Sequence, residues 1–396
     1  MFKRMIQIEE RLTNRSVFLF GPRQTGKSTL LKMRFPSAMY IDLLNSKEYL
    51  QYTSSPSLLE ERVNVLLKSP GELLKVVIID EIRREPELLN DVHRLIEMHK
   101  NLRFILTGSS PNKLRRKGTN LLGGRAHRIN LHPISWLEMQ SWPGSNIDFN
   151  TRLLRGGLPS ILLSNNFRDD LLSYVGLYLQ EEIQAEGLAR SVGNFSRFLH
   201  VAAVCNGQQI NYASVASDTM IPARTVKDYF QILQDTMMGY MLSPIDISEK
   251  RKTVSNPKFY FFDTGVSNAL QARWNLLAGT PEYGEAFEAF IHNELQAANQ
   301  FFTTDFQLTY WRTKTQLEVD FVLRPKPGVI IGIETKGTGK VQSRDTRGLR
   351  AFADEFLGAR KILICTEENE RLTTEGIEIL PVEIFLSRLW KGEYHK

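Results

Sequence analysis

VFLFGPRQTGKSTL, residues 17–30, decides how the rest of this 396-residue chain is read. The apolar run at 17–20 predicts a strand, GPRQTGKS at 21–28 fills the pattern G-x-x-x-x-G-K-[ST], and STLLKMRF predicts a helix. Strand, glycine loop and helix in that order form the context a phosphate-binding loop requires. Gly21 and Gly26 let backbone N–H groups close around phosphate oxygens, and Pro22, Arg23, Gln24, Thr25 and Thr29 complete the expected nucleotide-binding stretch. Lys27 is expected to reach the β- and γ-phosphates, and Ser28 to hold Mg²⁺.

Outward from that loop, LLKVVIIDEI (73–82) is apolar but for Lys75 until it ends in Asp80 and Glu81. Such a run suits a central parallel strand covered on both faces. Carboxylates at its end suit a Walker B pair, with Asp80 supporting Mg²⁺ through water and Glu81 polarising the attacking water. YIDL (40–43) predicts a second strand and LRFILTGSS (102–110) another, the latter ending in small hydroxyl residues. Between them, residues 86–100 predict an amphipathic helix with Leu88, Leu89, Val92, Leu95 and Ile96 on one face. The loop at 111–135 is basic, with Lys113, Arg115, Arg116, Lys117, Arg125 and Arg128.

Together GPRQTGKS, VVIIDEI, ILTGSS, GGRAHRINLHPISWLEM and GGLP (156–159) resemble the AAA+-type ATPases of bacteria and archaea, in which a long C-terminal region follows the motor. The likeness spans nearly the whole chain and is strongest over the first 140 residues. It implies ATP as the nucleotide and an oligomer as the working form. A polar sensor is implied at the end of 102–110, where Thr107, Ser109 and Ser110 are candidates and Ser109 or Ser110 is preferred. Arg125 resembles an arginine that reaches the γ-phosphate of a neighbouring subunit.

Bulk properties bound the remainder. The length predicts two to four domains. With 42% hydrophobic and 24% charged residues the composition is that of a soluble protein, and no apolar run approaches the roughly 18–20 residues that cross a bilayer. The charged opening MFKRMIQIEERL has no signal-peptide core, so the expected location is cytoplasmic, with no membrane partner. Cys205 and Cys365 stand far apart without nearby histidines, which excludes a disulfide framework or a zinc site and leaves two core thiols. A net charge of +6 suits a polyanionic partner.

SWPGSN (141–146) marks a domain edge, and the helices after it suggest a lid from which Arg152 or Arg155 could touch phosphate. From residue 194 the pattern changes to three short helices, the third opening at Pro222, followed by strand-like 239–245 and 258–263. Three helices and a hairpin make a winged helix. Its third helix would offer Arg224, Thr225 and Lys227 to a major groove, and its wing Lys250, Arg251 and Lys252. Such modules also dock proteins.

In the last third, the helix 284–299 carries Glu288 at the edge of its apolar stripe and Glu294 inside it. QLEVDFVLRP and VIIGIETKG follow as strands, with Asp320 on one and Glu334-x-Lys336 on the next, 14 residues later. This resembles the spacing of the PD-(D/E)XK nuclease fold. The resemblance implies that Asp320 and Glu334 bind Mg²⁺, that Lys336 orients the attacking water, and that Glu288 completes the site, with Glu294 as second choice.

The expected architecture is therefore an α/β chain: an AAA+ P-loop NTPase core (1–142), a helical lid (143–192), a winged helix (193–275) and a PD-(D/E)XK-like domain (276–396). The expected function is ATP-dependent DNA binding with metal-dependent cleavage. The alternative is an NTP-driven switch or scaffold for protein partners whose nuclease-like fold is inert.

Overall fold

The computed structural model describes residues 2–71, 73–111, 122–144, 146–178, 191–246, 256–302 and 306–395. It divides into two compact units, one of Arg4–His132 with Asp235–Met237 and one of Met1–Lys3, Pro133–Gln234 and Met238–Lys396.

The Arg4–His132 unit is built on five strands: β1 (Ser16–Phe20), β2 (Met39–Asp42), β3 (Lys75–Asp80), β4 (Leu102–Gly108) and β5 (Ala126–Asn130). All pair in parallel, in the order β2-β3-β4-β1-β5. Helices Lys27–Arg34, Ser46–Ser54, Leu58–Lys68 and Leu88–Met98 supply the crossovers a parallel sheet needs. Burial on both faces explains why β1 and β4 read as apolar runs: Phe18, Phe20, Val77, Ile79, Phe104 and Leu106 enter one core layer, and Val17, Leu19, Ile78 and Ile105 the other. The phosphate-loop strand β1 lies beside β4, which separates it from β3. The C-terminal ends of β1, β3 and β4 share one edge, where ligands of open α/β sheets bind.

The second unit opens with helices Trp136–Gln140, Phe149–Arg155, Pro159–Leu162 and Phe167–Ser173. Helices Val192–Val204, Tyr212–Thr219 and Ala223–Asp235 follow, then the antiparallel hairpin β6 (Gly239–Leu242) and β7 (Lys258–Phe261). After helices Thr264–Leu270 and Pro281–Phe302 comes a six-stranded sheet: β8 (Gln307–Arg312), β9 (Glu318–Arg324), β10 (Ile331–Thr335), β11 (Arg360–Cys365), β12 (Arg371–Leu372) and β13 (Ile377–Pro381). Its order is β12-β13-β11-β10-β9-β8, with β10, β11 and β13 parallel and the others antiparallel.

The division into compact units falls at His132/Pro133. A buried carboxylate joins segments on either side of the three helices within the second unit. Asp263 caps helix Thr264–Leu270 by accepting from Val266 N (3.1 Å), and its other oxygen accepts from Gly157 N (2.6 Å). A Cβ at Gly156 would lie 2.0 Å from that carboxylate, and Gly156 has φ 77°, so the GGLP glycines are needed both for space and for backbone conformation. Asn268 also donates to Leu153 O (3.0 Å), tying the segment before the three helices to the segment after them.

Candidate functional site

At the C-terminal edge of the parallel sheet the chain turns sharply after Phe20. Gly21 is required by proximity: a Cβ there would stand 2.5 Å from Leu131 O. Gln24 (φ 62°) and Gly26 (φ 91°) both take left-handed backbone, and Gly26 caps the helix Lys27–Arg34. Arg4 clamps the loop from outside, donating to Thr25 O (2.9 Å) and His132 O (2.6 Å), while Thr25 Oγ1 donates to Pro22 O (2.9 Å). Lys27 is buried and its Nζ donates to Gly21 O (2.6 Å) and Pro22 O (3.0 Å). Its ammonium is thus held at the rim of the loop. Ser28 is half-buried and Thr29 exposed on the first turn.

The end of β3 meets the end of β4. Thr107 Oγ1 donates to Asp80 Oδ1 and accepts from Glu81 N (3.0 Å), while the Tyr40 hydroxyl donates to Asp80 Oδ2. Burial, and then the Asp80 carboxylate, push that phenol far above its ordinary value. Glu81 has left-handed backbone (φ 60°), and its carboxylate pairs with buried Arg83 at 2.7 Å. Of the three hydroxyl candidates, Thr107 is the one bonded to Asp80. Ser109 Oγ is fully buried without a hydrogen-bond partner. Sequence reasoning had placed Tyr40 only in a strand and had passed over Arg83.

Arg125 precedes β5, whose first residue pairs with Ser16 at the start of β1. It therefore lies at the opposite edge of the sheet from the phosphate loop, half-exposed and paired with Glu97. Residues 113–117 of the basic loop lie outside the described residues.

The residues at the loop edge fit a nucleoside triphosphate with Mg²⁺. The loop has the required backbone, an ammonium stands at its rim, Thr107 and Tyr40 hold the Asp80 carboxylate, and the orphaned Ser109 hydroxyl sits nearby at the end of β4.

The second cluster lies on the C-terminal sheet. Ile333 pairs with Phe321, and alternation from that pair turns Glu334 and Asp320 to one face. Asp320 Oδ2 accepts from Thr335 N and Thr335 Oγ1, both at 2.8 Å, and Lys336 Nζ lies 2.6 Å from Glu334 Oε1. Glu288 reaches the same place from helix Pro281–Phe302. Asp320, Glu334, Lys336 and Glu288 are thus brought together.

A residue read only as part of a wing strand joins them. Lys258 Nζ lies 2.9 Å from Glu288 Oε1, 2.5 Å from Glu318 Oε1 and 3.6 Å from Asp320 Oδ1, and the Tyr260 hydroxyl donates to Glu288 Oε1 at 2.6 Å. Burial would lower the Lys258 ammonium, but Glu288, Tyr260, Asp320 and Glu318 hold it well above its ordinary value. Burial, reinforced by Asp320, raises Glu288 to about 7 and Glu334 to about 8. Glu294 is elsewhere, accepting from Trp136 N and Trp390 Nε1, both at 2.8 Å.

This second cluster does not fit a divalent cation. The carboxylate oxygens are engaged by Lys258, Lys336, Tyr260 and Thr335. Glu334 Oε2 alone among their buried oxygens lacks a hydrogen-bond partner. Among the described residues no group of three or more His, Cys, Asp or Glu side chains is placed to hold a metal.

The two arginines considered for a lid are held inside the second unit. Arg152 is buried, donates to Ile134 O (2.8 Å) and faces Asp263, Glu294 and Glu138. Arg155 donates to Ser164 O (3.1 Å) and lies over the Phe167 ring.

Three stretches of the chain are similar to known domain families. Residues 13–140 match the family described as AAA domain, residues 146–276 a domain of unknown function (DUF8612), and residues 283–385 a second domain of unknown function (DUF4143). Uncharacterized proteins of Mycobacterium tuberculosis and Mycobacterium bovis are each 24% identical over 377 residues, covering 94% of this chain and 81% of the relative. An uncharacterized protein of Haemophilus influenzae is 23% identical over 390 residues, covering 91% of this chain and 92% of the relative. Among the described residues no helix is long and apolar enough to cross a membrane. The N-terminal third is thus similar to an AAA domain, and that similarity suggests nucleotide-dependent activity.

Proposed function

We propose that the chain hydrolyses ATP at the edge formed by Gly21, Lys27, Ser28, Asp80, Glu81 and Thr107. The observation that carries this reading is the hydrogen-bonded set in which Thr107 and Tyr40 hold Asp80, beside the loop that holds Lys27. Residues 21–29 would cradle the phosphates, with Ser28 and Asp80 on Mg²⁺. When bound, the Mg²⁺ would draw charge from the phosphate oxygens. The chain's own residues do the rest. Lys27 exchanges loop carbonyls for phosphate oxygens, and Thr107 fixes the Asp80 carboxylate. Glu81 polarises water once it leaves Arg83, and Ser109 offers an uncommitted hydroxyl. Lys27→Ala should abolish ATP binding, whereas Glu81→Gln should retain ATP and lower turnover about 100-fold or more. Hydrolysis unchanged in both variants overturns the assignment.

The partner proposed for the motor is DNA. Arg224 and Lys227 are exposed at the N-terminal end of helix Ala223–Asp235, whose other face buries Val226, Phe230 and Leu233. Lys250, Arg251 and Lys252 lie outside the described residues. If Arg224 and Lys227 contact phosphates, removing both should flatten the plot of log affinity against log salt by about 1.8 units on duplex DNA. An unchanged affinity and slope favour protein docking. No cleavage step is derived for the C-terminal sheet, because its acidic cluster does not fit the metal that step needs.

A further inference from the structure

We propose that Lys258 is the resident cation of the acidic cluster on the C-terminal sheet. Its ammonium takes the place a divalent metal would hold, so this fold stands without metal and does not cut phosphodiesters. The inference is independent of ATP hydrolysis in the first unit.

The position of Lys258 is fixed by the fold. On β7, alternation sends Phe259 and Phe261 into the helical core and turns Lys258 and Tyr260 together toward Glu288. Tyr260 in turn stacks on His292, one turn beyond Glu288 on the same helix, with ring centroids 4.1 Å apart. The backbone around Lys258 is tied down on both sides. It pairs with Leu242, Ile210 N donates to Pro257 O (3.0 Å), and the Tyr310 hydroxyl donates to Asn256 O (2.6 Å). The segment after β6 joins β8 through Ile245 N to Tyr310 O (2.7 Å) and Tyr310 N to Ser243 O (3.1 Å). Lys258 is 2% exposed, and its ammonium cannot swing into water without breaking its ion pairs to Glu288, Glu318 and Asp320.

Each carboxylate of the cluster already has a cationic partner. Glu288 and Asp320 face Lys258, Glu318 is shared between Lys258 and Arg312 (2.9 Å), and Glu334 pairs with Lys336. A divalent ion would have to displace a buried ammonium that already touches three carboxylates. Without Lys258, Glu288, Glu318 and Asp320 would be left close together with one fewer cation, and that is the arrangement a divalent ion does fit.

The test uses the full chain without nucleotide. Calorimetry with MnCl₂ on the parent should show no binding that Asp320→Asn removes. Lys258→Met should melt lower than the parent in EDTA and gain Mn²⁺ binding, its melting temperature rising by about 5 °C or more once Mn²⁺ exceeds its dissociation constant roughly 100-fold. Mn²⁺ binding, or metal-dependent DNA cleavage, that Asp320→Asn removes from the parent overturns the proposal. So does a folded Lys258→Met that gains no Mn²⁺ site. If Lys258→Met does not fold, the parent titration alone decides.

Discussion

Glu288 and Glu294 sit six residues apart on one helix, and their surroundings give them different work. Glu288 neutralises an ammonium. Glu294 is buried away from it and spans two indole-bearing residues, with Trp136 N on one oxygen and Trp390 Nε1 on the other. Burial raises Glu294 to about 7, against the attraction of Arg152. Between its ordinary value of 4.5 and about 7, the folded chain therefore keeps a proton that the unfolded chain has released. Stability from this group is full below that window and declines as pH rises through it, by about 3 kcal/mol in all. Glu288 and Glu334 add slopes of the same sign, so the difference between parent and variant isolates Glu294. Glu294→Gln should flatten the fall in stability between about pH 5 and about pH 8 in urea titrations, and an unchanged slope would show that this carboxyl does not titrate there. Thr107 and Tyr40 teach a related lesson. The end of β4 was legible as a place for a polar contact, but which hydroxyl meets Asp80 depends on the register of β3 on β4, and no local pattern gives that register.

At the scale of elements, what was legible is what repeats locally. The strands at 16–20, 75–80 and 102–108 follow from apolar runs, and the phosphate loop from its glycines. The sequence pattern also showed three helices and a hairpin in order, and Asp320 and Glu334 on consecutive strands. Contacts between distant segments were not legible. GGLP and the aspartate of KFYFFD read separately as a turn and a strand end, yet Asp263 caps helix Thr264–Leu270 and binds Gly157 N at once. Lys258 offered one signal, a lone charge alternating onto the face of Tyr260 in an aromatic strand. Asp263 is buried and serves both as helix cap and as acceptor from Gly157 N, so Asp263→Ala should cost about 3 kcal/mol in urea unfolding. Asp263→Asn, which keeps the cap oxygen, should cost less. Equal losses would mean that the charge, and not the cap, holds these segments together.

For the molecule as a whole, the position of Arg125 decides whether one chain suffices. β5 runs parallel to β1 with Ser16 opposite Ala126 and Phe20 opposite Asn130, so Arg125 begins where the phosphate loop is farthest. Five residues at about 3.3 Å each put roughly 16 Å of sheet between that edge and Gly21, beyond the reach of an arginine side chain. Arg125 cannot serve its own nucleotide in this arrangement. It is half-exposed, and with Arg15, Lys100 and Arg103 it lines an open, basic hollow. An arginine that reaches the γ-phosphate of a neighbouring subunit contributes about 10³ to 10⁵ in rate. Arg125→Ala and Lys27→Ala should therefore each hydrolyse ATP poorly alone, the first for want of the arginine and the second for want of the phosphate site. Mixed, they should recover part of the parental rate, because an intact Arg125 on a Lys27→Ala subunit can face an intact loop on an Arg125→Ala subunit. Recovery that grows with protein concentration, read by phosphate release, is the expected result. Full activity of Arg125→Ala alone, or no recovery in the mixture together with a monomer by light scattering in ATP, would place every group needed for hydrolysis within one chain.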